Sequence, residues 1–176
     1  MERIMIVCPD CGHENILGAD ECEECRQSLS QLSSSVPASD IERSLLKDSI
    51  HVLAPRRPLT VTPTTPIGDV LHILVDESIG CVLVVEDEQI VGIFSERDAL
   101  MRLNVSATEL MDKPVSQFMT PSPETLEESD KIAFALHKMD LGGYRHVPIL
   151  AGGKVTGVIS IRDILRYLTE HVSVEN

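Results

Sequence analysis

The chain repeats itself. Sliding the sequence along itself by 65 positions lays residues 59–103 over 124–168 without a gap. Identities fall at Thr60/Thr125, Ile67/Ile132, Leu71/Leu136, His72/His137, Val82/Val147, Gly92/Gly157, Ser95/Ser160, Arg97/Arg162, Asp98/Asp163, Leu100/Leu165 and Leu103/Leu168. Eleven matches in 45 positions exceed coincidence, and many of the remaining pairs are apolar on both sides. A unit seen only twice is a pseudo-symmetric pair rather than a solenoid. Whatever this chain folds into must be assembled from two copies of one small unit.

Each copy parses the same way. In the first, an extended piece at Leu59–Thr62 leads to a helix with apolar spacing at Ile67, Val70, Leu71 and Leu74. A buried strand, Cys81–Val85, turns through Glu86-Asp-Glu88 into a second strand, Ile90–Phe94, and a helix follows from Ser95 to about Leu103. The second copy supplies Ile132, Ala135, Leu136 and Met139, then His146–Leu150, the turn Ala151-Gly-Gly153, a strand Lys154–Ile159 and a helix from Ser160. The order is β-α-β-β-α, twice, an α/β fold. A three-stranded sheet with both helices on one side leaves its other face bare. Two such units packed sheet to sheet, with pseudo-two-fold symmetry, cover it. Repeat boundaries are expected at 40–116, with a leading helix, and 117–176.

Gly92-Ile-Phe-Ser95-Glu-Arg-Asp98 and Gly157-Val-Ile-Ser160-Ile-Arg-Asp163, with Arg145-His-Val-Pro148 before the strand, carry a family likeness. Over about residues 41–171 the pattern resembles the cystathionine β-synthase (CBS) domain pair, or Bateman module. One such motif is weak; two at the correct interval within the right element order are specific.

A serine at a helix N-cap with an acid three residues on is also a plain capping box, found in many helices without function. Three details favour a ligand over capping alone. The glycine three residues before the serine would let a ligand approach the strand backbone. Aspartate is too short to reach back comfortably to the cap nitrogen as a glutamate does, and an arginine precedes it in both copies. A strand-to-helix junction can offer backbone amides to phosphate. Ser95 and Ser160 could donate to phosphate, and Asp98 and Asp163 could accept both ribose hydroxyls. The resemblance implies that these positions bind adenosine compounds in the cleft between the repeats. It also implies that basic residues at Arg145 and His146, where the first copy has Gly80 and Cys81, face phosphate. Solvated strand-edge residues are the other reading of that pair. With Arg97 and Arg162 they would favour AMP, ADP or ATP over S-adenosylmethionine, which brings its own positive charge.

Nothing supports catalysis: no Ser-His-Asp set or carboxylate pair stands out, and family members with activity carry a separate catalytic domain. Cys81 reads as a small buried hydrophobe. The His72/His137 match reads as helix packing rather than metal ligation.

The amino terminus is of another kind. Cys8-Pro-Asp-Cys11-Gly12, a ten-residue gap and Cys22-Glu-Glu-Cys25 can present four thiolates to one tetrahedral ion. Beyond Ile4, Ile6, Val7, Ile16 and Leu17 the segment has almost no apolar residues, so metal must supply its stability. Structural zinc is the expectation. Disulfides suit an oxidising compartment, a redox pair uses one motif, and rubredoxin-like iron uses a longer gap. The segment resembles a short zinc ribbon, expected over 1–28. Seven acidic residues against Arg3 and Arg26 point to protein docking or a purely structural role rather than DNA reading. A Ser-rich tether should cover 29–39, and Ser39-Asp-Ile-Glu42 reads as a capping box with Ile41, Leu45 and Leu46 on one face.

Composition excludes several functions. A net charge of −13, no Trp and few aromatics disfavour nucleic acid. Apolar runs such as Cys81–Val85 are far short of the ~20 residues a spanning helix needs. A cytoplasmic homodimer, carrying adenine nucleotide and zinc and answering to an unidentified protein partner, is the expectation. An interaction scaffold with degenerate clefts is the alternative.

Overall fold

The computed structural model describes residues 5–16, 19, 21–29, 40–103 and 107–172. Ile4, Leu17, the expected tether beyond Leu29 and the expected cap Ser39 lie outside the described residues. Along the chain run β1 (Met5–Val7), β2 (Glu14–Ile16), α1 (Asp40–Lys47), a 3-10 turn (Ile50–Leu53), β3 (Thr60–Val61), α2 (Ile67–Asp76), β4 (Cys81–Glu86) and β5 (Gln89–Ser95). Next come α3 (Glu96–Asp98), a π-helical stretch (Ala99–Leu103), α4 (Ala107–Leu110), a 3-10 turn (Val115–Gln117), β6 (Thr120–Pro121) and β7 (Leu126–Glu127). Then follow α5 (Ile132–Gly142), β8 (His146–Ala151), β9 (Lys154–Ser160) and α6 (Ile161–Val172). The twice-repeated β-α-β-β-α order is present. The helix expected from Ser95 to about Leu103 is present as one α turn running into π winding, which buries Leu103 and leaves Leu100 and Met101 exposed.

These elements form two compact units. One holds the described residues of Ala54–Glu128 and His146–Ser160. It contains a four-stranded sheet, β3-β4-β5-β6, and a three-stranded sheet, β7-β8-β9. In each, the first strand runs parallel to the second and the hairpin is antiparallel. Both hairpins shift register one step from the motif glycine. Val84 pairs Gly92 and Val85 pairs Ile90, just as Ile149 pairs Gly157 and Leu150 pairs Val155. The extra residue in each is a β-bulge that sharpens the local twist.

β4 is buried on both faces, which is why Cys81–Val84 reads as a continuous apolar run rather than an alternating one. Val82, Val84 and Phe94 pack on Ile67, Val70 and Leu74 of α2, with Leu103 and Val115. Cys81, Leu83 and Ile93 face the other way, onto Val155 and Val158 of the second sheet. The repeats therefore pack sheet to sheet.

The edge strands are lent across the repeat boundary. Thr120, on the segment leading into the second copy, pairs Ile93 of the first. Arg56, on the segment leading into the first copy, exchanges backbone hydrogen bonds of 3.1 and 2.8 Å with Val158 of the second. Ile93 and Val158 are matched positions, so Arg56 closes one sheet where Thr120 closes the other.

The second unit holds the described residues of Met1–Leu53, Ser129–Arg145 and Ile161–Asn176. β1 and β2 pair antiparallel, and Leu29 is fully buried in a small core with Cys8 and Cys22. The leading helix α1 buries none of its described side chains, and Leu46 is exposed. Burial passes instead to Ile50 and Leu53 of the turn that follows. The exit of α1 is tied to the entry of α5: Ile50 N donates to Asp130 O (2.8 Å), Ile132 N to Asp48 O (3.1 Å) and Lys131 Nζ to Lys47 O (2.8 Å). Tyr167 of α6 donates to Asp48 Oδ2 at 2.7 Å. Among the described residues no helix is long and apolar enough to cross a membrane.

Candidate functional site

The two Cys-x-x-Cys turns fold alike. Cys8 N donates to His13 O and Gly12 N to Cys8 O; Cys22 N donates to Gln27 O and Arg26 N to Cys22 O, all at 2.8–2.9 Å. The four Sγ atoms converge within 4.8 Å of one another, with Cys8–Cys25 at 3.6 Å and Cys11–Cys22 at 3.5 Å. A tetrahedron of 2.3 Å metal–sulfur bonds has edges of about 3.8 Å, so the donors match that shape. All four cysteines are free. Cys8 and Cys22 are buried, while Cys11 and Cys25 are exposed. Burial opposes ionisation of Cys22, yet backbone amides of Cys25 and Glu24, with Asn15 and the Cys11 thiol, pull it down to about 6. The Gln27 backbone favours the Cys25 thiolate, but burial and the Cys11, Cys8 and Cys22 thiols push it up to about 12. Four sulfurs this close cannot share full negative charge without a cation among them.

Asn15, buried, was not legible in the spacing. Its Nδ2 donates to His13 O (2.9 Å) and approaches Cys22 Sγ at 3.5 Å, while its Oδ1 accepts from Glu23 N (2.9 Å). One carboxamide thus ties the first thiol turn to the second.

At the first strand-to-helix junction Ser95 caps α3 in a complete capping box. Asp98 Oδ2 accepts from Ser95 N at 3.0 Å and from Ser95 Oγ at 2.6 Å. The expectation that aspartate is too short to reach the cap nitrogen is therefore wrong; the extended φ of Ser95 brings the amide to it. The other oxygen, Oδ1, accepts from Thr120 Oγ1 at 3.1 Å and lies 3.4 Å from Arg102. Arg102 also donates to the carbonyls of Phe118 and Met119. Of the amides expected to meet phosphate, Glu96 N donates to Gly80 O (3.1 Å) and Asp98 N to Ser95 Oγ (3.4 Å).

The motif glycines also admit a chain crossing. A Cβ on Gly92 would strike Met119, and one on Gly157 would strike Pro55. The space over each glycine is taken by the segment that crosses it. Pseudo-symmetry holds even here.

The second junction differs. Asp163 is buried, and its Oδ1 takes Arg166 at 2.9 Å. Ile161 N donates to Arg145 O at 3.0 Å, matching Glu96 and Gly80. Ser160 pairs His146 across the ladder, as Ser95 pairs Cys81. His146 is half-buried, and its ring lies so close to Gly80 that a Cβ there would collide with it. Gly80, Cys81, Ser95, His146 and Ser160 thus gather at the same ends of the two hairpins. Arg97, Arg145 and Arg162 are exposed. His72 is exposed and His137 is half-buried. Arg102, an i+4 partner of Asp98, was findable from spacing; Thr120 was not.

The CBS domain family model matches residues 49–105 and 115–170, more than half of the chain. The chain belongs to the CBS domain family. A 17.7 kDa protein of Acidianus ambivalens described as uncharacterized is 29% identical over 123 residues, 69% of this chain and 73% of that one. Inosine-5'-monophosphate dehydrogenase of Aquifex aeolicus is 32% identical over 138 residues, 73% of this chain. This CBS chain spans only 26% of the dehydrogenase's length. A CBS domain protein of Pyrobaculum aerophilum, solved in complex with AMP, is 28% identical with a TM-score of 0.59, covering 70% of this chain and 99% of that one.

Proposed function

We propose that this CBS pair is a non-catalytic regulatory module that binds an adenine nucleotide, AMP, ADP or ATP, at its strand-to-helix junctions. The binding set is Ser95, Arg97, Asp98, Arg145, His146, Ser160, Arg162 and Asp163. The observation that carries the reading is the doubled Gly-x-x-Ser-x-x-Asp junction in a CBS chain, together with AMP in a relative of 28% identity. The exposed arginines and half-buried His146 supply local positive charge on a chain of net charge −13. Screening confines that global charge to about 8–10 Å. The two junctions are unequal, so one is the stronger site. Only the second copy has Arg145 and His146.

Cys8, Cys11, Cys22 and Cys25 would hold one zinc ion, which supplies a structural cross-link between the two thiol turns. Their donor set and spacing suit it.

Titration calorimetry tests the nucleotide reading. AMP, ADP or ATP should bind more tightly than S-adenosylmethionine. Asp163→Ala should weaken binding by about 1.5–3 kcal/mol, and Asp98→Ala by less. Unchanged affinity in Asp163→Ala would leave the motifs as helix caps. The second reading, a zinc-dependent interaction scaffold, would then stand, favoured by the completeness of the Ser95 capping box.

A further inference from the structure

We propose that metal loading of the four-cysteine centre and docking of that module on α5 reinforce one another, with Lys138 as the residue that joins them. Asp10 sits between two of the thiols, in the turn Cys8-Pro-Asp-Cys11. Lys138 Nζ lies 3.3 Å from the Asp10 carbonyl oxygen and 3.3 Å from its Oδ1. The lysine side chain is only 14% exposed, whereas the aspartate is 40% exposed. The lysine stem is covered while its ammonium binds the outside of the turn between two thiols.

The charges suit that role. Four thiolates around a divalent ion leave two negative charges, in a module whose residues 1–30 carry seven acids against two arginines. An ammonium placed on this module meets both an opposite charge and a carbonyl acceptor at Asp10. The 65-residue repeat adds an independent observation. The position matching Lys138 in the first copy is Ile73, packed against the apolar core of its own repeat. Pseudo-symmetry is broken at the helix position that faces the cysteine module.

The coupling follows from geometry. When Cys8 and Cys11 share one ion, the turn between them is closed and both oxygens of Asp10 that Lys138 uses are fixed. Releasing the ion frees the turn and removes those acceptors from the lysine. By linkage, contact with Lys138 must favour the loaded turn by the same factor that loading favours the contact. The metal state of the amino-terminal module is thereby transmitted to the long helix of the second repeat. This inference rests on the reading of the four cysteines as a metal site.

The test uses the full chain loaded with zinc. Competition with a chromophoric chelator measures affinity for wild type, Lys138→Met and Lys138→Arg. Hydrogen exchange over residues 132–142 is followed with zinc bound and after stripping. We expect Lys138→Met to hold zinc roughly tenfold less tightly, the scale of losing an outer-shell partner, and Lys138→Arg to stay close to wild type. Stripping wild type should raise exchange in α5, while stripping Lys138→Met should add little to exchange already raised. Wild-type affinity in Lys138→Met, an arginine variant as weak as the methionine one, or α5 exchange indifferent to zinc in wild type would each overturn the coupling. Wild type that takes up no zinc would overturn the metal reading itself, and the coupling with it.

Discussion

Asn15 shows how much a single buried carboxamide can organise. It is satisfied by a carbonyl on one thiol turn and an amide on the other, with a thiol at 3.5 Å. Replacing it by alanine leaves Glu23 N without its acceptor and His13 O with Cys8 N as its remaining donor; replacing it by aspartate sets a carboxylate beside Cys22. We expect both variants to release zinc faster, on the order of tenfold for alanine and more for aspartate, read by chelator kinetics. Cys81 illustrates the opposite kind of thiol. Burial first, then the charges of Glu96 and Asp98, push it up to about 12 from 9.0. Between those values the folded protein keeps a proton that the unfolded chain has lost. Stability at this residue is complete below pH 9 and then falls with rising pH by about 1.4 kcal/mol per unit. Denaturant titrations of wild type and Cys81→Ala between pH 8 and 11 check this, since the slope should be shallower in the variant. At Gly80 the close approach of His146 gives a sharper handle on the nucleotide reading. Gly80→Ala should displace the imidazole and weaken AMP binding in calorimetry, with thermal unfolding little changed.

The two hairpins solve one turn with different residues. Asp87 and Glu88 sit at φ +48° and +64°, where the second copy has Gly152 and Gly153 at +59° and +78°. Left-handed backbone is costly for a residue with a Cβ and free for glycine. Glu88→Gly should therefore stabilise the protein by about 1 kcal/mol, raising the melting temperature by about 2–4 °C for a chain of this size. At this scale the sequence was largely legible. A 65-residue self-match, apolar spacing in α2 and α5 and an unbroken apolar β4 all report burial directly, because each side chain answers to its own element's period. What stayed hidden depended on contacts between distant segments. The π winding of Ala99–Leu103 places Arg102 on carbonyls 16 and 17 residues away. Gly92 and Gly157 read as ligand approaches, and nothing local announces that Met119 and Pro55 cross over them. The cysteine spacing was read correctly as a convergent donor set, whereas Asn15 carried no pattern of its own.

For the whole molecule we propose a homodimer, for which the sequence offers the apolar faces of α2 and α5: Ile67, Leu71 and Leu74, or Ile132, Leu136 and Met139. Ile67, Leu74, Ile132 and Met139 are spent inside the chain, and the large apolar residues left outside include Val75, Leu100, Met101, Leu141 and Leu165. Leu100 and Leu165 are matched positions in the two repeats, which suits a two-fold contact. We expect sedimentation to give a dimer at tens of micromolar, an order-of-magnitude working range, and Leu100→Glu to shift it toward monomer. A monomeric wild type would remove the dimer from the proposal. The lent edge strands have a consequence for how the chain comes into being. During synthesis the first sheet can close as soon as Thr120 emerges, a short distance after Ile93. The second must wait for Val158, and its edge is a segment around Arg56 made roughly a hundred residues earlier. That stretch must keep its backbone unclaimed through most of translation. Its proline-flanked composition, Pro55-Arg-Arg-Pro58, suits the wait, because proline offers no amide for a premature partner and two arginines repel a stray edge.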